Sequence, residues 1–182
     1  MPGAVLWITG LSGAGKTSLA RCTLALLRQR TANVVMLDGD LVRELLGGDV
    51  DHSPQGRLKN AYRMSRLCAS LAAQGIHVVC ATMSLFPEIW AWNRAHITRY
   101  FEVYVRVPFA TLNARDARGL YSRARAGQAS NVVGVDLTFT EPPEPHLVVD
   151  NDGPASELDA LAQLIIDRSR CLDTPTATGD RT

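Results

Sequence analysis

Residues 4–23, AVLWITGLSGAGKTSLARCT, set an apolar run, a glycine-rich octet and a helical pattern end to end. No other segment restricts the fold as much. Gly10-Leu11-Ser12-Gly13-Ala14-Gly15-Lys16-Thr17 follows G-x-x-x-x-G-K-T, an octet that works when a strand delivers the chain to it and a helix leads away. Its glycines let successive N–H groups curl around phosphate oxygens, and the following helix turns its positive end toward the same anion. The lysine reaches the β- and γ-phosphates, and the threonine hydroxyl ligates Mg²⁺. ATP is therefore expected on Gly10, Ser12, Gly13, Ala14, Gly15, Lys16, Thr17 and the adjoining Ser18, with Thr17 on the metal.

Five short apolar runs read as strands: Ala4–Thr9, Asn33–Asp38, His77–Ala81, Phe101–Val107 and His146–Asp150. They are rich in β-branched residues and almost continuously apolar, as strands covered on both faces are. Helical patterns over Lys16–Gln29, Arg57–Gln74, Pro87–Arg99 and Ala155–Asp167 separate them. In the longest, Ala61, Met64, Leu67, Cys68, Leu71 and Ala72 form the apolar stripe. Alternating strands and helices predict an α/β P-loop NTPase fold: a five-stranded parallel sheet with helices on both faces and a small lid. Residues 1–172 read as one domain. The polar stretch 173–182 (DTPTATGDRT) reads as a disordered tail.

Charge narrows the partners. Nineteen Lys and Arg against eighteen Asp and Glu leave a net charge of +1, which gives no global basis for binding nucleic acid or an anionic membrane. Cys22, Cys68, Cys80 and Cys171 include no C-x-x-C pair and read as free, mostly buried thiols of a reducing compartment. No run reaches the ~18 apolar residues of a membrane span, and no leader peptide is visible. A cytoplasmic protein is expected.

The class of nucleotide-binding protein turns on what is near the octet. N-K-x-D, expected for guanine, is absent. The second strand ends in Asp38-Gly39-Asp40 rather than Asp-Glu. Two carboxylates at a strand tip suit a small-molecule kinase, one placed toward the metal and one to accept the proton of an attacking hydroxyl. Asp40 as helix N-cap after an Asp-Gly turn is an equally structural use of the same residues, and the two are compatible.

With these residues in view, the sequence resembles the adenylyl-sulfate (APS) kinase family, whose members phosphorylate the ribose 3′-hydroxyl of APS. The likeness runs from about Val5 to Asn151, through GLSGAGKT (10–17), DGDLVR (38–43), RLKNAYR (57–63), RDARGLYSRARAG (115–127) and VGVD (133–136). The resemblance implies Lys16, Asp38, Asp40 and Ser84 as catalytic residues, Ser84 at the position of a serine described as phosphorylated. It implies Asp40 beside Thr17 on the metal, and Arg115 and Arg118 with the octet on ATP. It implies an acceptor site of Asp40, Arg43, His52, Arg57, Asn60, Phe86, Arg118, Val132 and Val133. Arg118, Arg123 and Arg125 fall in a segment resembling the family's mobile lid. Family members are commonly homodimers, which nothing in the residues themselves indicates.

The acceptor side departs from the family. The two aromatic positions that sandwich the adenine of APS are His52 and Val132 here. After the third strand, the expected Ser-Pro-Phe/Tyr-Arg and a second Arg give way to Ser84-Leu85-Phe86-Pro87-Glu88-Ile89-Trp90. The ATP side is intact while the acceptor side is altered. SLFPE and NVVGVD resemble a divergent branch that phosphorylates cytidine diphosphoramidate for phosphoramidate modification of surface polysaccharides. The expectation is thus a nucleotide-hydroxyl kinase using ATP and Mg²⁺, with APS the family default and a CDP-linked acceptor the alternative. A non-catalytic nucleotide-binding regulator fits less well, because Lys16, Thr17, Asp38 and Asp40 are all present. A kinase of antibiotics or other non-nucleotide alcohols leaves Arg43, Arg57 and Asn60 unexplained.

Overall fold

The computed structural model describes residues 1–46, 50–116 and 119–173. Of the expected tail, all but Asp173 lies outside them. Five strands form one parallel sheet: β1 (Val5–Thr9), β2 (Val34–Asp38), β3 (His77–Ala81), β4 (Tyr100–Arg106) and β5 (Leu147–Asp150), in the order β2-β3-β1-β4-β5. Each expected strand is present, displaced by no more than one residue at either end. β1 is central and buried along its whole length, while the edge strands β2 and β5 are only partly covered.

Side chains alternate across a strand, and β1 shows the consequence. Leu6 and Ile8 enter one core with Leu19, Ala20 and Leu27 of α1 (Lys16–Arg28) and Ala162, Ile165 and Ile166 of α7 (Leu158–Ser169). Val5 and Trp7 enter the other with Ala61, Met64 and Cys68 of α3 (Pro54–Ala73) and Ile89 of α4 (Pro87–His96). Helices therefore cover both faces. Leu67 is 37% exposed and lies outside the α3 stripe. The buried face instead runs through Asn60, Ala61, Met64, Ser65, Cys68 and Ala72, carrying a polar residue into the core at the end nearest the strand tips.

Two short helices were not expected, α5 (Phe109–Ala114) and α6 (Leu120–Arg125), and a third, α2 (Gly39–Leu45), lies where a helix capped by Asp40 was one of the readings. α2 follows β2 without a loop, and its N-cap is Asp38, not Asp40. The Asp38 carboxylate accepts from the Asp40 N–H at 3.0 Å, which satisfies one of the unpaired donors at a helix start. α3 begins three residues earlier than expected, at Pro54. Ser53 is its N-cap, and proline occupies the first turn, where a missing N–H costs nothing. The four cysteines are free, with Cys68, Cys80 and Cys171 buried. No helix among the described residues is long and apolar enough to cross a membrane.

Candidate active site

The carboxyl ends of β1, β2 and β3 open into one cleft of about 320 Å³, where ligands collect in open α/β sheets. The glycine-rich loop forms its floor. Gly10 leaves β1 so close to β4 that a Cβ there would sit 2.5 Å from the Val105 carbonyl oxygen. Ser12, Gly13, Gly15, Lys16, Thr17 and Ser18 line the cleft, and Ala14 is buried beneath them. Lys16 Nζ donates to the Leu11 carbonyl at 2.7 Å. Burial draws its ammonium down to about 8, against the opposing pull of Asp40 and Asp38.

Asp38 does two jobs from one carboxylate. Oδ1 caps α2, and Oδ2 accepts from the Thr17 hydroxyl at 2.7 Å. The cap brings Asp40 into the cleft mouth, one residue into α2 and exposed. Thr17 in the first turn of α1, Asp38 at the tip of β2 and Asp40 in the first turn of α2 thus offer a hydroxyl and two carboxylates. Among the described residues no group of three or more His, Cys, Asp or Glu is placed to hold a metal alone. Hard oxygen donors too few to enclose an ion suit Mg²⁺, which commonly completes its shell with water and substrate phosphates.

The opposite wall is cationic. Arg43 of α2 donates from Nη1 to the Asp51 carbonyl at 3.3 Å and lies 2.7 Å from His52 Nδ1. Arg57 of α3 donates from Nε to the His52 carbonyl at 2.9 Å and from Nη2 to the Asn131 carbonyl at 2.8 Å. Burial, with Arg43 nearby, lowers the Arg57 guanidinium below its ordinary value. Burial and the two arginines likewise lower His52, so its neutral form accepts from Arg43. Two buried polar atoms here have no protein partner: Arg43 Nε and Asn60 Oδ1. Buried polar groups rarely stay unpaired. Both residues line the cleft, and the unpaired donor and acceptor would be satisfied if a side-chain turn brought them to a ligand carrying an anionic oxygen and a hydroxyl.

Several expected site residues lie elsewhere. Arg118 falls outside the described residues. Val132 is 3% exposed and packs in the core, its N–H held by the Asp136 carboxylate. Ser84 is fully buried with its Oγ unpartnered, and it does not line the cleft. Its backbone is pinned there: its carbonyl accepts from Trp90 Nε1 at 3.2 Å, and its N–H donates to Thr9 Oγ1 at 3.3 Å. Phe86 and Val133 line a second, apolar cavity of about 230 Å³. Arg57 and Met83 border both cavities, so the two adjoin at these residues. Phe139 supplies the second aromatic face of the apolar cavity.

The sequence reading missed two of the residues that close the cleft's far end, Asp116 and Tyr121, and named their neighbours Arg115 and Arg125. Asp116 accepts from the N–H groups of Tyr121 and Ser122 in the first turn of α6, whose N-cap is Gly119. Tyr121, 1% exposed, donates its hydroxyl to the Ser12 carbonyl at 2.8 Å and stacks edge-on against Phe109. Arg125 of α6 bonds the Asn113 side chain. Arg115 lines the cleft and donates to the carbonyls of Asn151 and Gly153. Only an aromatic with a polar tip in RDARGLY hinted at Tyr121.

Comparison with known proteins gives a family and a fold. The adenylylsulphate kinase family model matches residues 2–150. Cytidine diphosphoramidate kinase of Campylobacter jejuni is 36% identical over 162 residues, covering 89% of this chain and 94% of that protein. Adenylyl-sulfate kinase of Paraburkholderia xenovorans is 36% identical over 151 residues, covering 82% and 84%. Equal identity to the two activities leaves the acceptor to be argued from the site. Among solved structures, Mycobacterium tuberculosis APS kinase in complex with AMPPNP and APS superposes with a TM-score of 0.83 at 33% identity, covering 93% of this chain and 98% of that one.

Proposed function

The chain belongs to the adenylylsulphate kinase family, and from that premise we propose that it transfers the γ-phosphate of ATP to a ribose hydroxyl of a cytidine diphosphate-linked nucleotide. It is a phosphotransferase with an alcohol group as acceptor. The nucleotide-hydroxyl reading is supported by the cleft's two-sided build, a phosphate cradle facing an arginine wall across Asp40.

The observation that carries the acceptor assignment is where the aromatic faces are. The positions expected to sandwich adenine hold His52, turned to Arg43, and Val132, buried in the core. The apolar cavity beside Arg57 instead offers Phe86 and Phe139, from other segments. A base seated there stacks in a different place, and the Campylobacter jejuni relative is named for a cytidine acceptor. APS itself is the second reading, supported by the extent of structural likeness to the Mycobacterium tuberculosis enzyme.

In this reading the phosphate loop and Lys16 hold the β- and γ-phosphates. Arg43 and Arg57 hold the acceptor's phosphates, and Asn60 Oδ1 accepts from its ribose. Asp40 takes the proton of the attacking hydroxyl as that oxygen bonds to the γ-phosphorus and the bond to the ADP oxygen breaks. Thr17, Asp38 and Asp40 would hold Mg²⁺, which neutralises charge on the phosphates. Buried Ser84 stands off this path, and direct transfer needs no phosphoserine. ADP release by purified protein tests the reading. It should depend on cytidine diphosphoramidate and be lost in Asp40→Ala with ADP binding retained. ATP hydrolysis that no nucleotide acceptor stimulates, or full turnover by Asp40→Ala, contradicts it.

A further inference from the structure

Asn151 directly follows β5 and is 6% exposed, yet it lines no part of the cleft. Its side-chain Nδ2 donates to the Ala14 carbonyl at 2.8 Å, across 137 positions of sequence. Its N–H donates to the Arg106 carbonyl at the end of β4, at 3.1 Å. Its own carbonyl accepts from Arg115 Nη1 at 2.6 Å. One buried residue thus joins β4, the floor of the phosphate loop and the arginine at the cleft's far end.

We propose that Asn151 is a positioning residue for nucleotide phosphates, its side-chain amide locking the Ala14–Gly15 peptide so that the Gly15 N–H faces the cleft. In a planar trans peptide the C=O and N–H point in opposite directions. With the Ala14 carbonyl drawn back to Asn151, the Gly15 N–H is turned toward the side that Gly13, Gly15 and Lys16 line. A flipped peptide would present a carbonyl to the anion in place of a donor. Gly15 is where a flip is easiest, because its φ of +88° lies in a region that glycine enters and leaves freely. The fit is close: a Cβ on residue 15 would sit 2.4 Å from Asn151 Nδ2. The amide therefore lies directly over the glycine, and residue 15 has two reasons to lack a side chain. Arg115 bonds the backbone carbonyls of Asn151 and Gly153, not the Asn151 side chain, so exchanging that side chain leaves both ties in place.

This inference rests on the reading of the loop as an ATP site, and the test separates the two. Asn151→Ala removes the donor. Near-isosteric Asn151→Asp also removes it and sets a carboxylate against the Ala14 carbonyl. Both are compared with the parent chain in ADP titration, in adenosine competition and in ATP kinetics. Losing one buried donor should raise the Kd of ADP about 5-fold in Asn151→Ala, and further in Asn151→Asp. KM for ATP should rise in parallel, kcat at saturating ATP should stay within about 3-fold, and adenosine affinity should change less than about 2-fold, since adenosine carries no phosphate for the loop to hold. ADP affinity within about twofold of the parent in both variants, or equal weakening of ADP and adenosine, overturns the proposal. A parent chain that binds no ADP instead overturns the ATP-site reading.

Discussion

Arg57 stands where the two cavities meet, and Arg57→Ala is the perturbation from which most can be read. The guanidinium makes two bonds within the protein, to the His52 and Asn131 carbonyls. On a half-exposed arginine these contribute together about 1–2 kcal/mol, or a loss of roughly 2–8 °C in Tm for a chain of this size. The larger effect falls on the acceptor. A hydrogen bond to a charged group is worth about 1.5–3 kcal/mol, so kcat/KM for the acceptor should drop about 10- to 150-fold. KM for ATP should change by less than about twofold, because Arg57 is on the wall facing the phosphate loop. Arg57→Lys keeps the charge and loses the fork that reaches both carbonyls, so it should recover part of the acceptor term and little of the stability. Steady-state kinetics with each substrate varied in turn, beside a melting curve, separates the two terms. An unchanged acceptor kcat/KM, or a loss on the ATP side alone, would refute the placing of the acceptor between Arg57 and the apolar cavity.

Other expectations follow from the same geometry. Lys16 keeps its charge below its depressed value of about 8 and loses it above. A pH profile of kcat/KM for ATP should therefore fall about tenfold per unit on the alkaline side of about 8, and a profile flat to about pH 9.5 contradicts this. Phe86→Ala removes one stacking face, so acceptor KM should rise about 5- to 150-fold, matching about 1–3 kcal/mol of base stacking. A loss of ATP affinity instead would mean that Phe86 supports the loop. Tyr121→Phe keeps the ring against Phe109 and deletes the bond to the Ser12 carbonyl. KM for ATP should rise roughly 5-fold with a Tm loss of about 2–4 °C, and a lower Tm with unaltered KM would make the hydroxyl purely structural.

What the sequence disclosed and what it hid divide by range. β1, β3 and β4 were legible because a strand covered on both faces must be apolar along its length, and the partly covered edges β2 and β5 were legible from their runs of β-branched residues. The phosphate loop was legible because its glycines, Lys16 and Thr17 act within eight adjacent residues. α2 was legible only as a helix start beside the Asp-Gly turn, because GDLVREL is too short to show a period. The cap fell on Asp38 rather than Asp40, which frees Asp40 for the cleft. Val132 was placed with the acceptor by the family resemblance alone, whereas Asp136 folds that loop so that the side chain enters the core. Asn151 and Tyr121 escaped notice because each acts on a backbone carbonyl more than a hundred positions away, and no local pattern marks such a partner.

The central claim concerns the acceptor, and competition tests it most directly. When cytidine diphosphoramidate and APS are present together at equal concentration with ATP, the ratio of their phosphorylated products is the ratio of their kcat/KM values. The relocated aromatic faces at Phe86 and Phe139 predict that the cytidine product dominates by about tenfold or more. A mixture in which the APS product dominates would contradict the account and place the chain with the adenylyl-sulfate kinases in substrate as well as in fold.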